Sequence, residues 1–391
     1  MEYNFDEVIN RWNTSSIKYE NPKFHNLPED VLPLWVADMD FQIPKEVKDA
    51  LHAMVEHGIF GYSDNNEEYF EAVHDWFLKH FEWDTRKEWL IKTPGVVFAI
   101  GTAIRAFTKK GDAVLIQRPV YYPFSNMIKE NNRTLVNSPL IYKDGTYSID
   151  FADFEQKIIT HQVKMFILCS PHNPVGRVWT REELLTMAQI CKKHQVLVIS
   201  DEIHCDFTYE GVTHTMFGTL GEEFLQNLVL CTAPSKTFNL AGLQTSNIFI
   251  PNKDLREAFQ AELNRMGVLE VNRAGLLACQ AAYTYGDTWL SELKAYLAGN
   301  LSYVREFLTE RLPQIKLVEP QGTYLVWLDF SGLGLSGDEL DTFIAQKAKL
   351  WLDGGSMFGE EGSSFQRINI ACPRSIIEKA LTHLETAVKA L

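Results

Sequence analysis

The sequence predicts an α/β protein, with a large domain built on a mainly parallel sheet between helices and a smaller α+β domain. Three observations lead there. Short apolar runs alternate with helical patterns through the middle of the chain. The runs are continuously apolar rather than alternating, the mark of strands buried on both faces. At 391 residues the chain also exceeds what one ordinary core accommodates.

The expected strands are Ala113–Gln117, Thr134–Asn137, Lys164–Cys169, Val196–Ser200, Leu228–Thr232 and Ser246–Ile250. One intervening helix is opened by Thr180-Arg181-Glu182-Glu183, a capping box with Thr at N-cap and Glu at N3. Another follows Thr93-Pro94-Gly95 and carries Val97, Ile100, Ile104 and Phe107 on one side. From about Gly286 the pattern changes. A long amphipathic helix (Trp289 to about Leu312) leads into a strand pair, Ile315–Glu319 and Thr323–Asp329. A helix over Gly337–Ala348, a strand at Phe365–Ala371 and a last helix from Arg374 to Leu391 complete the chain. The expected division is therefore 46–285 for the large domain, and 1–45 plus 286–391 for the small one. No internal repeat or low-complexity segment interrupts it.

Composition excludes several roles. The 46% apolar content can bury two cores, and 37 basic against 51 acidic residues give a net charge of −14. An acidic chain without a basic block is a poor partner for nucleic acid or an anionic membrane. The six cysteines are scattered, none as CxxC, which fits free thiols in a reducing compartment better than a disulfide framework. The start, Glu2-Tyr3-Asn4-Phe5-Asp6, is too polar and acidic for a signal peptide, and the longest uncharged stretch, Thr237–Asn252, is too short and polar to span a bilayer. A cytoplasmic protein is expected. His204-Cys205-Asp206 with His172 or His214 matches no common zinc spacing, so no metal is expected.

Three polar sites each follow an expected strand: Asn173 in Ser170–Gly176, Asp201 in Ser200–His204, and Lys236 in Ser235–Asn239. Singly they read as a turn, an N-cap and a surface lysine. Together they converge, because ligands of open α/β sheets bind beyond the carboxyl ends of the strands. Spacings of 28 and 35 residues suit successive strand–helix units. A lysine set between an apolar strand and an uncharged loop has its pKa lowered by burial, as an amine that attaches to a carbonyl requires. These residue types point to pyridoxal phosphate (PLP). Asp201 can keep the pyridine nitrogen protonated, Asn173 can donate to the phenolate oxygen, and Lys236 can hold the aldehyde and later act as base at the substrate Cα. The phosphate then suits the free backbone N–H groups at Gly95, Val96 and Val97, where a helix opens, with the Thr232 and Ser235 hydroxyls as further donors.

These motifs resemble fold-type I PLP enzymes, the aspartate aminotransferase superfamily with its class I/II aminotransferases. More narrowly they are similar to its cystathionine β-lyase or cysteine-S-conjugate β-lyase branch. The branch likeness rests on Trp35–Phe41, Asp201–His204 and Ala233–Gln244, with Phe60–Ser63 and Arg367–Ile370 in support. The resemblance implies that Tyr121 stacks on the pyridine ring, that Arg367 forks onto the substrate α-carboxylate, and that Ala37 and Tyr121 also meet the substrate. It further implies that Tyr62 reaches the neighbouring subunit's cofactor, in a homodimer with shared sites. There are two departures. The superfamily's tyrosine three residues after the aspartate is here His204, and its phosphate-binding arginine is Gln244. Both are usual in the lyase branch. The implied activity is PLP-dependent β-elimination from L-cystathionine or a related cysteine S-conjugate. An aminotransferase is the alternative, because it shares the steps through Cα deprotonation. A PLP-carrying regulatory partner protein is a weaker one.

Overall fold

The computed structural model describes residues 2–20, 22–63 and 67–391. Its main feature is a seven-stranded sheet. In chain order the strands are β1 (Leu90–Thr93), β2 (Ala113–Ile116), β3 (Thr134–Asn137), β4 (Met165–Cys169), β5 (Leu197–Asp201), β6 (Leu228–Thr232) and β7 (Ser246–Phe249). Their spatial order is β1-β7-β6-β5-β4-β2-β3. All neighbours run parallel except β7, which is antiparallel to both β1 and β6. Alternate residues of one strand face different cores: Val114 and Ile116 lie in one cluster, Ala113 and Leu115 in the other. A sheet covered on both faces thus explains the unbroken apolar runs.

The edges depart from that rule. β3 has only Val136 buried, and β1, which carries Lys92 and was not among the expected strands, alternates in exposure. An edge strand has one wet side, so its sequence lacks the continuous apolar signal. A small hairpin, Ile141–Lys143 with Thr146–Ser148, was also not expected. Its Asp144-Gly145 turn has φ 51° and 80°, the positive values that a tight two-residue hairpin turn requires. The helix expected over Gly337–Ala348 is α-helical only to Thr342 and continues as a π-turn through Lys347.

Local chemistry sets the helix starts. Thr180 accepts the Glu183 N–H while Glu183 accepts the Thr180 N–H, closing the capping box that opens Arg181–Lys193. Asp150 and Asn252 cap Phe151–His161 and Lys253–Arg265 more simply, each side chain accepting two backbone N–H groups of the first turn. A second, four-stranded antiparallel sheet is built from Lys316–Val318, Leu325–Asp329, Asp353–Gly354 and Phe365–Asn369. The long helix Asp287–Arg311 contacts the final helix Arg374–Lys389. Among the described residues no helix is long and apolar enough to cross a membrane.

The N-terminal segment is tied down by polar contacts rather than by a core of its own. Leu32–Pro33 pairs in parallel with Leu350–Trp351. Lys18 is fully buried and its Nζ donates to Asp40 Oδ2 at 2.7 Å; Arg11 bridges Asp38 and Asp40 at 2.6 and 2.7 Å. Replacing Asp40 with Ala strands a buried ammonium whose remaining carboxylate, Asp38, lies 3.9 Å away. Breaking such a pair costs roughly 3–5 kcal/mol. Asp40→Ala should therefore lower the urea midpoint strongly, and a melt within experimental error of wild type would show that the pair contributes nothing to stability.

Candidate active site

Beyond the carboxyl ends of β4, β5 and β6 lies a cavity of about 260 Å³. Ala37, Gly95, Val96, Val97, Tyr121, Asn173, Asp201, His204, Ser235 and Lys236 all line it. Segments far apart in sequence thus meet as the sequence predicts. The cavity wall also includes Phe98, Cys169, Ile203, Ala241, Gln244 and Thr245, which sequence reasoning did not assign as binding residues.

Lys236 sits on a one-turn helix, Pro234–Thr237, and its Nζ donates to the Ala37 carbonyl at 3.1 Å. Burial, with the nearby Arg367 charge, lowers its pKa to about 8; Asp38 and Asp201 partly oppose the fall. Asp201 ends β5 and moves the opposite way. Burial raises its carboxyl to about 7, against the Ile203 N–H, 3.2 Å from Oδ1, and the Lys236 charge. His204 is buried, and burial with the Lys236 and Arg367 charges holds its pKa well below the ordinary value, so the ring is neutral. Its Nδ1 has no hydrogen-bond partner among the described residues.

Asn173 is oriented by Arg367, whose Nη1–H donates to Asn173 Oδ1 at 3.0 Å. With Oδ1 committed, the Nδ2 amide hydrogens remain for a ligand. Arg367 is buried, and its Nη2 also donates to the Trp35 carbonyl at 2.9 Å and pairs with Asp353. Its Nε–H has no hydrogen-bond partner among the described residues. At the far wall the helix Val96–Phe107 begins, with Gly95 at its N-cap, no side-chain cap and no acidic residue in its first turn. Gly95 adopts φ 157° and ψ 160°, which a side chain disfavours. The first N–H groups and the positive end of the helix therefore face the cavity unneutralised, an anion site.

Three expected residues lie outside this wall. The Thr232 hydroxyl donates to the Asn247 carbonyl of the neighbouring strand at 3.2 Å and is not among the residues lining the cavity. Arg367 stands behind Asn173 rather than on the lining. Tyr62 lies on the connection after the helix Lys45–His57 with its side chain fully exposed, away from this chain's own cavity. The structure adds two residues that no motif announced. Tyr324 Oη donates to the same Ala37 carbonyl at 2.9 Å, and Asp353 forms the ion pair with Arg367.

Residues 29–384 match the family model for aminotransferase class I and II. The chain belongs to that family. Within it, the chain is 42% identical to cystathionine beta-lyase PatB of Bacillus subtilis, over 98% of this chain and 100% of the relative. Among solved structures it is similar to cystalysin from Treponema denticola, which contains pyridoxal 5'-phosphate, with TM-score 0.97 and 38% identity over 100% of both chains. It is also similar to a PLP-bound C-S lyase from Staphylococcus hominis, with TM-score 0.93 and 34% identity over 99% of this chain and 98% of that one. This class I and II aminotransferase family member thus has the mixed α/β architecture that the sequence predicts.

The two shifted groups bear on stability in the cofactor-free chain. Asp201, raised from 3.8 to about 7, keeps a proton when folded that the unfolded chain has released, so its contribution falls as pH rises through that window. Lys236, lowered from 10.5 to about 8, is the reverse, and its contribution rises between those values. Urea midpoints measured against pH should show both slopes. Asp201→Asn should flatten the acid-side slope and leave the alkaline rise; an unchanged acid-side slope would mean that Asp201 titrates normally.

Proposed function

We propose that the chain is a PLP-dependent carbon–sulfur β-lyase, cleaving L-cystathionine or a related cysteine S-conjugate to pyruvate, ammonia and a thiol. The observation that carries this reading is a lysine amine lowered to about 8 in the same cavity as Asp201, opposite an uncapped helix N-terminus. The donor set fits the cofactor part by part: a carboxylate for the ring nitrogen, an amide for the phenolate and backbone N–H groups for the phosphate. The names of the relatives support lyase chemistry over transamination.

When bound, PLP supplies an electron sink for negative charge at the substrate Cα. Lys236 would hold the cofactor and, once displaced by the substrate amine, take the Cα proton; an amine with a pKa of about 8 does so near neutral pH. Asp201 would keep the ring nitrogen protonated. Asn173 would donate through Nδ2, and the N–H groups following Gly95, with Ser235, would hold the phosphate. Tyr121 would lie against the ring, and neutral His204 would offer Nδ1 as an acceptor or a tautomeric donor. Arg367 would bind the substrate carboxylate through donors still free, beside Ala37. Lys236, carrying the Cα proton, would then pass it to the departing sulfur, and the remaining three-carbon fragment would hydrolyse to pyruvate and ammonia.

The reading includes a division of the chain into 46–285 and 1–45 plus 286–391, and a homodimer in the cytoplasm. Val55, Ile59, Phe60 and Tyr62 are all exposed on one stretch, an apolar face suited to a second copy. The six buried free thiols suit a reducing compartment.

Supplied with L-cystathionine and no keto acid, the protein should release pyruvate and thiol over many turnovers, and Lys236→Ala should lose at least about a hundredfold in rate. A stall after one turnover without thiol would make it an aminotransferase, while a wild-type rate in Lys236→Ala would remove the lysine from the chemistry. Sharing through Tyr62 has its own test. Inactive Lys236→Ala and inactive Tyr62→Ala subunits, once mixed, should regain activity, because one site of each mixed dimer is intact. Exchange without recovered activity would refute the shared site.

A further inference from the structure

The helix that carries Lys236 is a single turn, Pro234–Thr237, with no side-chain hydrogen bond at its N-cap. One turn does not hold itself in place, because helix nucleation is unfavourable. Its tether is the residue after the lysine. Thr237 Oγ1–H donates to Asp206 Oδ2 at 2.6 Å, and Trp76 Nε1–H donates to Asp206 Oδ1 at 3.0 Å. All three side chains are buried. His80 from the helix Glu67–Phe81 and Lys294 from Asp287–Arg311 also face Asp206, without a hydrogen bond to it. A buried carboxylate met by neutral donors alone, Thr237, Trp76 and more weakly the Cys205 thiol at 3.9 Å, is a poor stabilising device, and an apolar side chain of similar shape would serve the core better.

The position of Asp206 gives it another use. It lies in the loop after β5, two residues beyond His204, and that loop is braced by Cys205 N–H to Glu202 O and Phe207 N–H to His204 O, both at 3.0 Å. The Asp206–Thr237 bond therefore ties the loop holding Asp201 and His204 to the turn holding Lys236. On the other flank, Asn239 accepts the Met39 N–H at 2.9 Å and donates to the Met39 and Phe41 carbonyls at 3.0 Å, tying the same turn to the segment that offers Ala37.

We infer that Asp206 is a positioning residue for Lys236, fixing through the Thr237 hydroxyl the rotation and depth of the turn that aims the lysine into the cavity. The inference rests on the proposed reading of Lys236 as the working amine.

The test compares Thr237→Val, which keeps the shape and removes the hydroxyl, with Thr237→Ser, which keeps the hydroxyl. In the full chain freed of cofactor, acetylation of Lys236 by acetic anhydride is followed against pH by mass spectrometry, with Asp38, Asp201 and Arg367 still facing the amine. In Thr237→Val the midpoint should move up by about half a pH unit or more, towards an ordinary lysine. In the cofactor-loaded protein kcat should fall about tenfold or more with KM within about threefold, the signature of lost aim rather than lost binding. Thr237→Ser should match wild type in both. A Thr237→Val protein with the wild-type labelling midpoint and kcat, whatever its melting temperature, would overturn the inference. Should that variant not fold, Asp206→Leu, which has no acceptor for the Thr237 hydroxyl, is read by the same two measurements and the same criteria. Turnover surviving in Lys236→Ala would sink the proposed function itself, a result distinct from either outcome here.

Discussion

The constraint on which the rest of the site depends is the enclosure of a lysine amine that has no carboxylate bonded to it. Among the described residues the only hydrogen-bond partner of Lys236 Nζ is a backbone carbonyl, that of Ala37. A neutral acceptor leaves the cost of burying the charged form largely unrelieved, so the amine shifts towards neutrality. Asp201 obeys the same rule with the opposite sign, since burial outweighs the attraction of the lysine. Both groups are thereby shifted towards neutral pH, and for the lysine that is where proton transfer from a substrate is least costly. Had they formed a direct ion pair, each would have been driven away from that range.

Holding the Ala37 carbonyl in place requires a rigid segment where the chain has no regular structure. Residues 34–41 are fixed by groups from several parts of the fold. Asn369 Nδ2 donates to the Val36 and Asp38 carbonyls at 2.7 Å, Tyr324 to Ala37, Arg367 to Trp35, and Asn239 to Met39 and Phe41. Arg11 and Lys18 then neutralise Asp38 and Asp40 from the N-terminal side. Asn369 and Tyr324 come from around the four-stranded sheet, whereas Asn239 follows the Lys236 turn. The segment is therefore the polar seam between the two sheets, and Lys236 is aimed at its midpoint.

Much of this was legible because the chemistry demands unlike residues beside apolar strands. Asn173, Asp201 and Lys236 each interrupt an uncharged stretch, and a polar group there is costly unless it is used. Gly95 was legible as a helix opening, and the structure adds the backbone angles that explain why glycine stands there. The edge strand Leu90–Thr93 was hidden by Lys92, whose ammonium lies over the Tyr69 ring instead of breaking the strand. Sequence shows a hydroxyl at Thr232 near the site but not its cross-strand bond to the Asn247 carbonyl. Tyr324 and Asp353 carried no local signal at all; each acts through a partner distant in sequence, Ala37 for the first and Arg367 across the sheet for the second. Contacts of that kind are set by tertiary register, which neither periodicity nor motif spacing encodes.

Charge within the cavity also bears on which amino acids the proposed chemistry accepts. Among the described residues lining it, Lys236 is the only basic side chain besides His204, which is held neutral. Arg367 stands behind the wall and already shares its charge with Asp353. On the proposed reading its remaining capacity is committed to the α-carboxylate common to all amino acids. A substrate with a lone carboxylate on its side chain would then bring a second negative charge into a space with no cation to meet it, at a desolvation cost that binding would have to offset. A thioether side chain brings no such charge. The far end of cystathionine carries both an ammonium and a carboxylate on one carbon, so it supplies its own counter-ion. On the proposed reading, the charges of this chain's own lining therefore disfavour dicarboxylic amino acids and impose no such cost on thioethers, a pattern that follows from what the lining lacks as much as from what it holds.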